Sequence, residues 1–577
     1  MAVPRKPHGT PPSPGDAADL LQVLMFRRLL TREQAERVRR YARANSVGIV
    51  PTIVEMKLAS EIQIAEALAA FAGLRFVKIN PLELDLDVVT GALSAAFSRR
   101  HGLVAISKSA TTLTVAVHDP FAPFPVDDIR GVSGLEVERV VATRTDVESV
   151  IKSFFDLRAS LKSAEKQLER RVPAFDLGNQ EYLSAQADEL DPAAGPVVKA
   201  LDNLLAYAFE QRASDIHFEP KRKVTLVRLR IDGMLHDVHV IPRIVYQAIV
   251  SRVKLLSGCN LAEKRRPQDG RIKREQAGRE IELRVSTMPT AFGEKAVLRI
   301  FDPDILLKTV EQLGLVGNDL TTFQQLLART HGIILVTGPT GSGKTTTLYS
   351  VLKHLSRPEV NIVTIEDPIE MVHEDLNQVA VRPAIDLTFA NALRTVLRQD
   401  PDIIMVGEIR DRETAEHAVQ AALTGHLVFS TLHTNDAPSS ITRLLDLDVP
   451  PFLVVSTIAG VVAQRLVRVI CKQCRESYDP TDDDAGALGL PRDTLPKLWR
   501  GAGCLVCRNT GYVGRDGIFQ MMPMTPRLRG MVARQAPAPE IVEAARAEGM
   551  RTLREAAIEK VLAGTTTIAE MVRVTGQ

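Results

Sequence analysis

Along the chain the spacing of apolar residues passes from helical to mixed to strand-like, and each change marks a region. Between Asp19 and Leu74 apolar positions recur at helical intervals among charges. TREQAERVRR (Thr31 to Arg40) and SEIQIAEALA (Ser60 to Ala69) look like two offset copies of one pattern, although two unrelated amphipathic helices would look as similar. Each opens on a hydroxyl residue able to cap a helix. From Phe76 the pattern is mixed: TTLTVAVHDP predicts a strand and turn, LEVERVVA a strand, and RTDVESVIKSFF a helix. Residues 17–155 therefore read as an N-terminal α/β region of one or two small units.

Residues 156–190 are rich in charge, Ala and Ser, poor in large apolar side chains, and read as a linker. A helix follows in PVVKALDNLLAYAFEQ, then strands and a helix through EKAVLRIFD, giving an α+β domain over 191–305. From Gly332 apolar strands alternate with helical segments, the pattern of a parallel sheet with crossover helices, and 306–577 is assigned to that domain with C-terminal helices. The uncharged stretch Val449 to Gln464 is interrupted by Pro450, Pro451, Ser456 and Thr457 and reads as a packed helix. It is too broken to be one of the runs of about 20 apolar residues that span a bilayer.

Composition narrows this picture modestly. A chain of 577 residues with 45% hydrophobic and 25% charged residues is not mostly disordered. Lys and Arg number 72 against 70 Asp and Glu, and a net charge of +2 argues against a nucleic-acid coat or a polybasic membrane binder. The opening MAVPRKPHGTPPSPGD has five prolines in sixteen residues and no apolar core, so residues 1–16 read as a flexible tail rather than a signal peptide. Four of five cysteines fall in C-x-x-C units, which is no disulfide scaffold and suits a reducing cytosol.

The sharpest chemistry lies in GIILVTGPTGSGKTTTLYSVL. A strand leads into Gly338, Pro339, Thr340, Gly341, Ser342, Gly343, Lys344 and Thr345, which fit G-x-x-x-x-G-K-[ST], and Thr346 continues into a helix. The glycines let backbone amides surround phosphate, the helix N-terminus favours negative charge, Lys344 reaches the outer phosphates and Thr345 can ligate magnesium. A second apolar strand, DIIMV, delivers Glu408, where a carboxylate can orient attacking water. Gly407 precedes it, so no second carboxylate ligates the metal there. In TIEDPIE, Glu366, Asp367 and Glu370 close another strand; alone they would read as a solvated turn, but the upstream phosphate loop favours a site. His426 and His433 flank the strand in GHLVFSTLHTND and could sense the terminal phosphate beside Thr431 and Asn435. Arg394 and Arg398 share a helix face, Arg410 follows Glu408, and Arg230 and Arg243 lie upstream; each is a candidate phosphate contact or a surface ion pair.

Cys471, Cys474, Cys504 and Cys507 form two C-x-x-C pairs separated by 29 residues, within a module over 465–515. They can supply four thiolates to one tetrahedral structural zinc; redox pairs or buried thiols are the alternatives. Four sulfur ligands leave no open catalytic position. Cys259 stands apart as a small core residue.

Taken in order, ASDIHFEP, LRIDG, KRRPQDGRI, RVSTMPTAFGEKAVLRI, GPTGSGKTT, EDPIE, LRQDPDIIMVGEIRD, TGHLVFSTLHTND and GMRTLREAAIEKVLAGTTTIAEMVRVT resemble the secretion ATPase superfamily of type II secretion and type IV pilus assembly. The resemblance runs from about Pro196 to the end. It implies a PAS-like lobe before a RecA-like motor, ATP and magnesium as ligands, and a homo-hexameric ring. It also implies catalytic roles for Glu408 and Glu366, a histidine-box role for His433, and phosphate-reaching roles for Arg230 and Arg243. Gly407 is normal in that family. The zinc module and long N-terminal region resemble the assembly branch, whose N-terminal domains dock on an inner-membrane platform from the cytoplasm. Some relatives bind cyclic di-GMP through Arg-Leu-Gly repeats; Leu21-Gln22-Val23 and Val50-Pro51-Thr52 stand near those places here, so cyclic di-GMP is expected not to bind. The alternatives are a DNA-uptake or DNA-translocating motor, disfavoured by the near-neutral charge, and a non-hydrolysing nucleotide-binding scaffold.

Overall fold

The computed structural model describes residues 20–45, 47–169, 195–276, 279–301, 308–504 and 506–576. The expected tail 1–16 and linker residues 170–190 lie outside them. The chain forms two compact units: residues 1–273, 283–300 and 504–509, and residues 274–282, 301–503 and 510–577.

The first unit begins with four helices, Leu20–Phe26, Arg32–Asn45, Ile49–Glu55 and Glu61–Ala72. Leu21, Leu24, Val38, Ile53, Ile64 and Leu68 form their core. The expected caps are present: Thr31 and Gln34 exchange backbone-to-side-chain bonds, as do Ser60 and Gln63. A small sheet follows with β1 (Leu103–Lys108), β2 (Thr112–Val117) and β3 (Glu136–Val141), its own core including Leu113, Val115 and Ile129. The N-terminal region thus has two cores of its own, while its Val104, Ala116 and Val140 join a third that it shares with the elements that follow.

The linker reading needs correction. One helix runs from Arg144 to Glu169, well into the segment 156–190. Its three leucines there, Leu157, Leu161 and Leu168, and Ala164 fall three or four apart and are buried. A single stripe at this spacing is enough to dock a helix whose remaining faces are charged. It packs with helix Gly195–Glu210, and both share one core with the sheet that follows.

That sheet has six strands in the order β6-β5-β4-β9-β8-β7. They are β4 (Asp215–Pro220), β5 (Val224–Ile231), β6 (Met234–Pro242), β7 (Gln268–Gln276), β8 (Arg279–Thr290) and β9 (Gly293–Phe301). In β5 burial alternates, Thr225, Val227, Leu229 and Ile231 facing inward, as the two-residue repeat of a strand requires. Helix Arg243–Leu256 adds Val245, Ile249 and Val253 to the core.

The second unit is built on β10 (Gly332–Thr337), β11 (Ile362–Glu366), β12 (Asn377–Ala380), β13 (Ile403–Val406), β14 (Leu427–Leu432) and β15 (Ile458–Ile470). The pair β16 (Arg475–Tyr478) and β17 (Leu498–Gly501) precedes β18 (Tyr512–Pro523). The main sheet runs β12-β11-β13-β14-β10-β15-β18, parallel except for the antiparallel β15/β18 edge. Every residue of β10, β11, β13 and β14 is buried, which explains why apolar residues dominate them without a two-residue alternation.

Val449 to Gln464 is not one helix. Pro451–Thr457 is helical, but Ile458 onward is β15, paired with β10 and β18. A strand buried on both faces has no alternation, so its apolar run cannot be told from a buried helix by periodicity. Gly460 fits here because a Cβ would stand 2.7 Å from Leu326 Cδ2.

Candidate functional site

The adjacent strands β11, β13, β14 and β10 run parallel, so their carboxyl ends share one edge, where α/β sheets bind ligands. The glycine-rich loop leaves β10 there, Glu366 ends β11, Glu408 follows β13 and His433 follows β14.

Gly338, Gly341 and Gly343 adopt φ of 147°, 80° and 89°, a region costly for side-chain-bearing residues. Helix Lys344–Leu355 starts at Gly343 and places Thr345 and Thr346 in its first turn. Lys344 Nζ donates to the Gly338 carbonyl at 2.6 Å and to Pro339 at 3.3 Å, so the ammonium arches over its own loop. Burial lowers its pKa, opposed by the Glu408 carboxylate. Ser342 Oγ is buried with no hydrogen-bond partner among the described residues. An unsatisfied hydroxyl, a lysine and a helix N-terminus, beside a loop whose Gly338 and Gly343 leave no room for a Cβ, are the donors a triphosphate and its magnesium would use.

Glu408 is mostly buried and pairs with Arg410, whose pKa its hydrogen bond raises. Its other oxygen stands 3.3 Å from His433 Nε2, while Arg410 also approaches Asp367 at 3.8 Å. Glu366 is 4% exposed and enclosed by donors: Tyr349 Oη at 2.7 Å, Thr364 Oγ1 at 2.6 Å and Gln378 Nε2 at 3.1 Å. Burial and this carboxylate push the Tyr349 phenol upward. His426 turns away to the Ala421 carbonyl at 2.9 Å and Thr424 at 3.0 Å. Arg394 and Arg398 bond their own helix, through Asn391 and the Arg394 carbonyl. Arg230 and Arg243 belong to the other unit; Arg230 donates to the Gly233 carbonyl and approaches Asp215, and Arg243 reaches the Arg222 carbonyl.

Sequence reasoning missed Tyr349, Gln378 and Gln464. Tyr349 looked like one more apolar position of the helix after the loop. Gln464 lay in the stretch misread as a helix. Its side chain accepts from Thr347 Oγ1 at 2.7 Å.

The cysteines converge as expected. Antiparallel pairing of β16 with β17 puts Arg475 opposite Gly501, drawing the two C-x-x-C turns together. Cys471 N donates to Gly511 O and Ala502 N to Cys474 O, both at 2.9 Å. All four sulfurs lie within 4.8 Å of one another, and Cys504 and Cys507 are 3.7 Å apart. Ligands about 2.3 Å from a tetrahedral zinc are about 3.8 Å from each other, whereas a disulfide needs about 2 Å. The cluster can therefore coordinate a metal ion, and zinc fits its donors. Cys259 is separate, its sulfur 3.3 Å from Ser257 Oγ.

A glycine loop between a buried parallel strand and a helix, with a lysine over the loop and a carboxylate at a neighbouring strand end, defines a P-loop nucleoside triphosphatase. Residues 191–573 match the model of the type II/IV secretion system protein family, and the chain belongs to that family of ATP hydrolases. It is 43% identical over 521 residues to the type IV pilus assembly ATPase TfpB of Acinetobacter baylyi, covering 89% of this chain and 88% of that one. It is 39% identical over 564 residues to type II secretion system protein E of Xanthomonas campestris, covering 96% and 98%. The chain is an ATPase motor of the type II secretion and type IV pilus assembly class.

The expectation about cyclic di-GMP is overturned. Residues 72–161 match the MshEN domain model. A structure described as "Structure of MshE with cdg" is 20% identical, with a TM-score of 0.21, covering 24% of this chain and 98% of that one. The expectation rested on two short strings before residue 72, whereas the domain is recognised over a whole α/β segment. A missing triplet does not exclude the ligand.

Proposed function

We propose that this motor hydrolyses ATP on the loop Gly338–Thr346 and uses the turnover to drive pseudopilus or pilus assembly. The observation that carries the reading is the conjunction at one sheet edge of the positive-φ glycine loop, Lys344 arched over it, and Glu408 held beside it. In this reading the loop amides and Lys344 bind the phosphates, and Thr345 would hold magnesium, which when bound would supply positive charge against the charge developing on the phosphates. Glu408 orients the attacking water, His433 holds the carboxylate's second oxygen, and Glu366 stays fixed by its three donors. Arg230 and Arg243 of the preceding lobe, read as PAS-like over 191–305, supply positive charge to the phosphates. The cysteine cluster holds zinc as a structural staple of the motor domain over 306–577.

Among the described residues no helix is long and apolar enough to cross a membrane. We take the protein to work in the cytoplasm and to reach the inner membrane through platform proteins contacted by its N-terminal region, 17–155. The relatives' names span both secretion and pilus assembly and so support the shared motor role.

The test is phosphate release by the full-length chain. Lys344→Ala is expected to lower turnover by at least about a hundredfold, and Glu408→Gln to lower kcat while nucleotide still binds. Unchanged turnover in Lys344→Ala would refute the assignment of the loop.

A further inference from the structure

We propose that Gln464 is a positioning residue for the phosphate loop, setting its shape before nucleotide arrives. This rests on the reading of Gly338–Thr346 as the triphosphate site and adds a residue that lies outside the loop and its motif.

Gln464 is 2% exposed, on β15, one residue after Ala463 pairs with Thr337 at the end of β10. It meets the loop at three points. Its backbone carbonyl oxygen stands 2.4 Å from where a Cβ on Gly338 would be, and its side-chain Nε2 stands 2.8 Å from where one on Gly343 would be. Its Oε1 accepts the Thr347 hydroxyl at 2.7 Å, one turn into the helix that the loop opens. One residue therefore backs the first glycine, the last glycine and the helix start. The loop is thus held at both ends from the β15 side.

A residue that only preorganises a binding loop changes how tightly nucleotide binds more than how fast bound nucleotide reacts. Gln464→Leu keeps the volume and removes the amide; it should raise the KM for ATP about tenfold while kcat stays within about twofold. Gln464→Glu keeps an acceptor for Thr347 but brings an anionic oxygen beside Gly343, and should raise KM further. Thr347→Val removes the same hydrogen bond from the other partner, should shift KM in the same direction, and serves if the Gln464 variants do not fold. The experiment is steady-state ATPase kinetics of the full chain, with Lys344→Ala alongside. Unchanged KM in both Gln464→Leu and Thr347→Val, or a fall in kcat with KM unchanged, would overturn the proposal. If Lys344→Ala is itself fully active, the loop assignment fails instead, and the two failures are distinguishable.

Discussion

His239 should make the first unit acid-sensitive. It lies on β6 opposite Val227, 4% exposed, with neither ring nitrogen hydrogen-bonded among the described residues. Phe154 and Tyr207 enclose the imidazole, with ring centroids 5.5 Å and 5.0 Å away. Burial alone lowers its pKa from 6.5 to about 4. The unfolded chain therefore binds a proton that the folded chain refuses between those values. The contribution to stability is complete above pH 6.5 and is lost as pH falls toward 4. A shift of about 2.5 units corresponds to about 3 kcal/mol below pH 4 and about 2 kcal/mol at pH 5. Asp146, pushed by burial to about 7, has the opposite sign, because its folded form keeps a proton longest. His118 and His217, also lowered by burial, have the same sign as His239. The difference between wild type and His239→Leu cancels these shared contributions. Hydrogen exchange of the β5 and β6 amides, corrected for intrinsic pH dependence, is the assay. Between about pH 7.5 and pH 5 the wild type should lose about 2 kcal/mol more protection than the variant. Parallel losses in the two proteins would refute the reasoning.

Glu570, fully buried in the C-terminal helix Ile568–Thr575, offers a second test. Burial would raise its pKa, but hydrogen bonds from Arg573 and Arg468 outweigh this and hold it at about 2, below 4.5. Its stabilisation is thus present above pH 4.5 and lost as pH falls through about 2. Glu570→Gln at neutral pH should cost about 3 kcal/mol and speed exchange in that helix roughly a hundredfold. Cys504→Ser should abolish stoichiometric zinc binding and increase protease cleavage between residues 471 and 511, read by metal analysis and peptide mapping. Gly338→Ala should remove nucleotide binding, since its Cβ would collide with the Gln464 carbonyl at a φ of 147°. Fluorescent-nucleotide titration checks this.

The sequence by itself determined the phosphate loop, both C-x-x-C pairs, the strands that deliver Glu366 and Glu408, and the parallel architecture around them. Each depends on contiguous residues whose backbone needs are local: positive φ at glycines, a lysine and hydroxyl at fixed offsets, apolar runs of strand length. Tertiary structure decided what depends on partners distant in the chain. Ile458–Gln464 became a strand because β10 and β18 supply its hydrogen bonds, and the same apolar run could have served a helix. Arg144–Glu169 extended into the expected linker because Leu157, Leu161, Ala164 and Leu168 found a helix to pack on. EDPIE and the upstream phosphate loop mark Glu366 as a site residue, but do not show that Tyr349 and Gln378 hydrogen-bond it inside. Gln464 sits 120 residues beyond Lys344 in the numbering and meets the phosphate loop only because β15 lies beside β10. Short-range chemistry is written in motifs; which buried polar group meets which is settled by strand neighbours, because an unpaired one costs too much to leave inside.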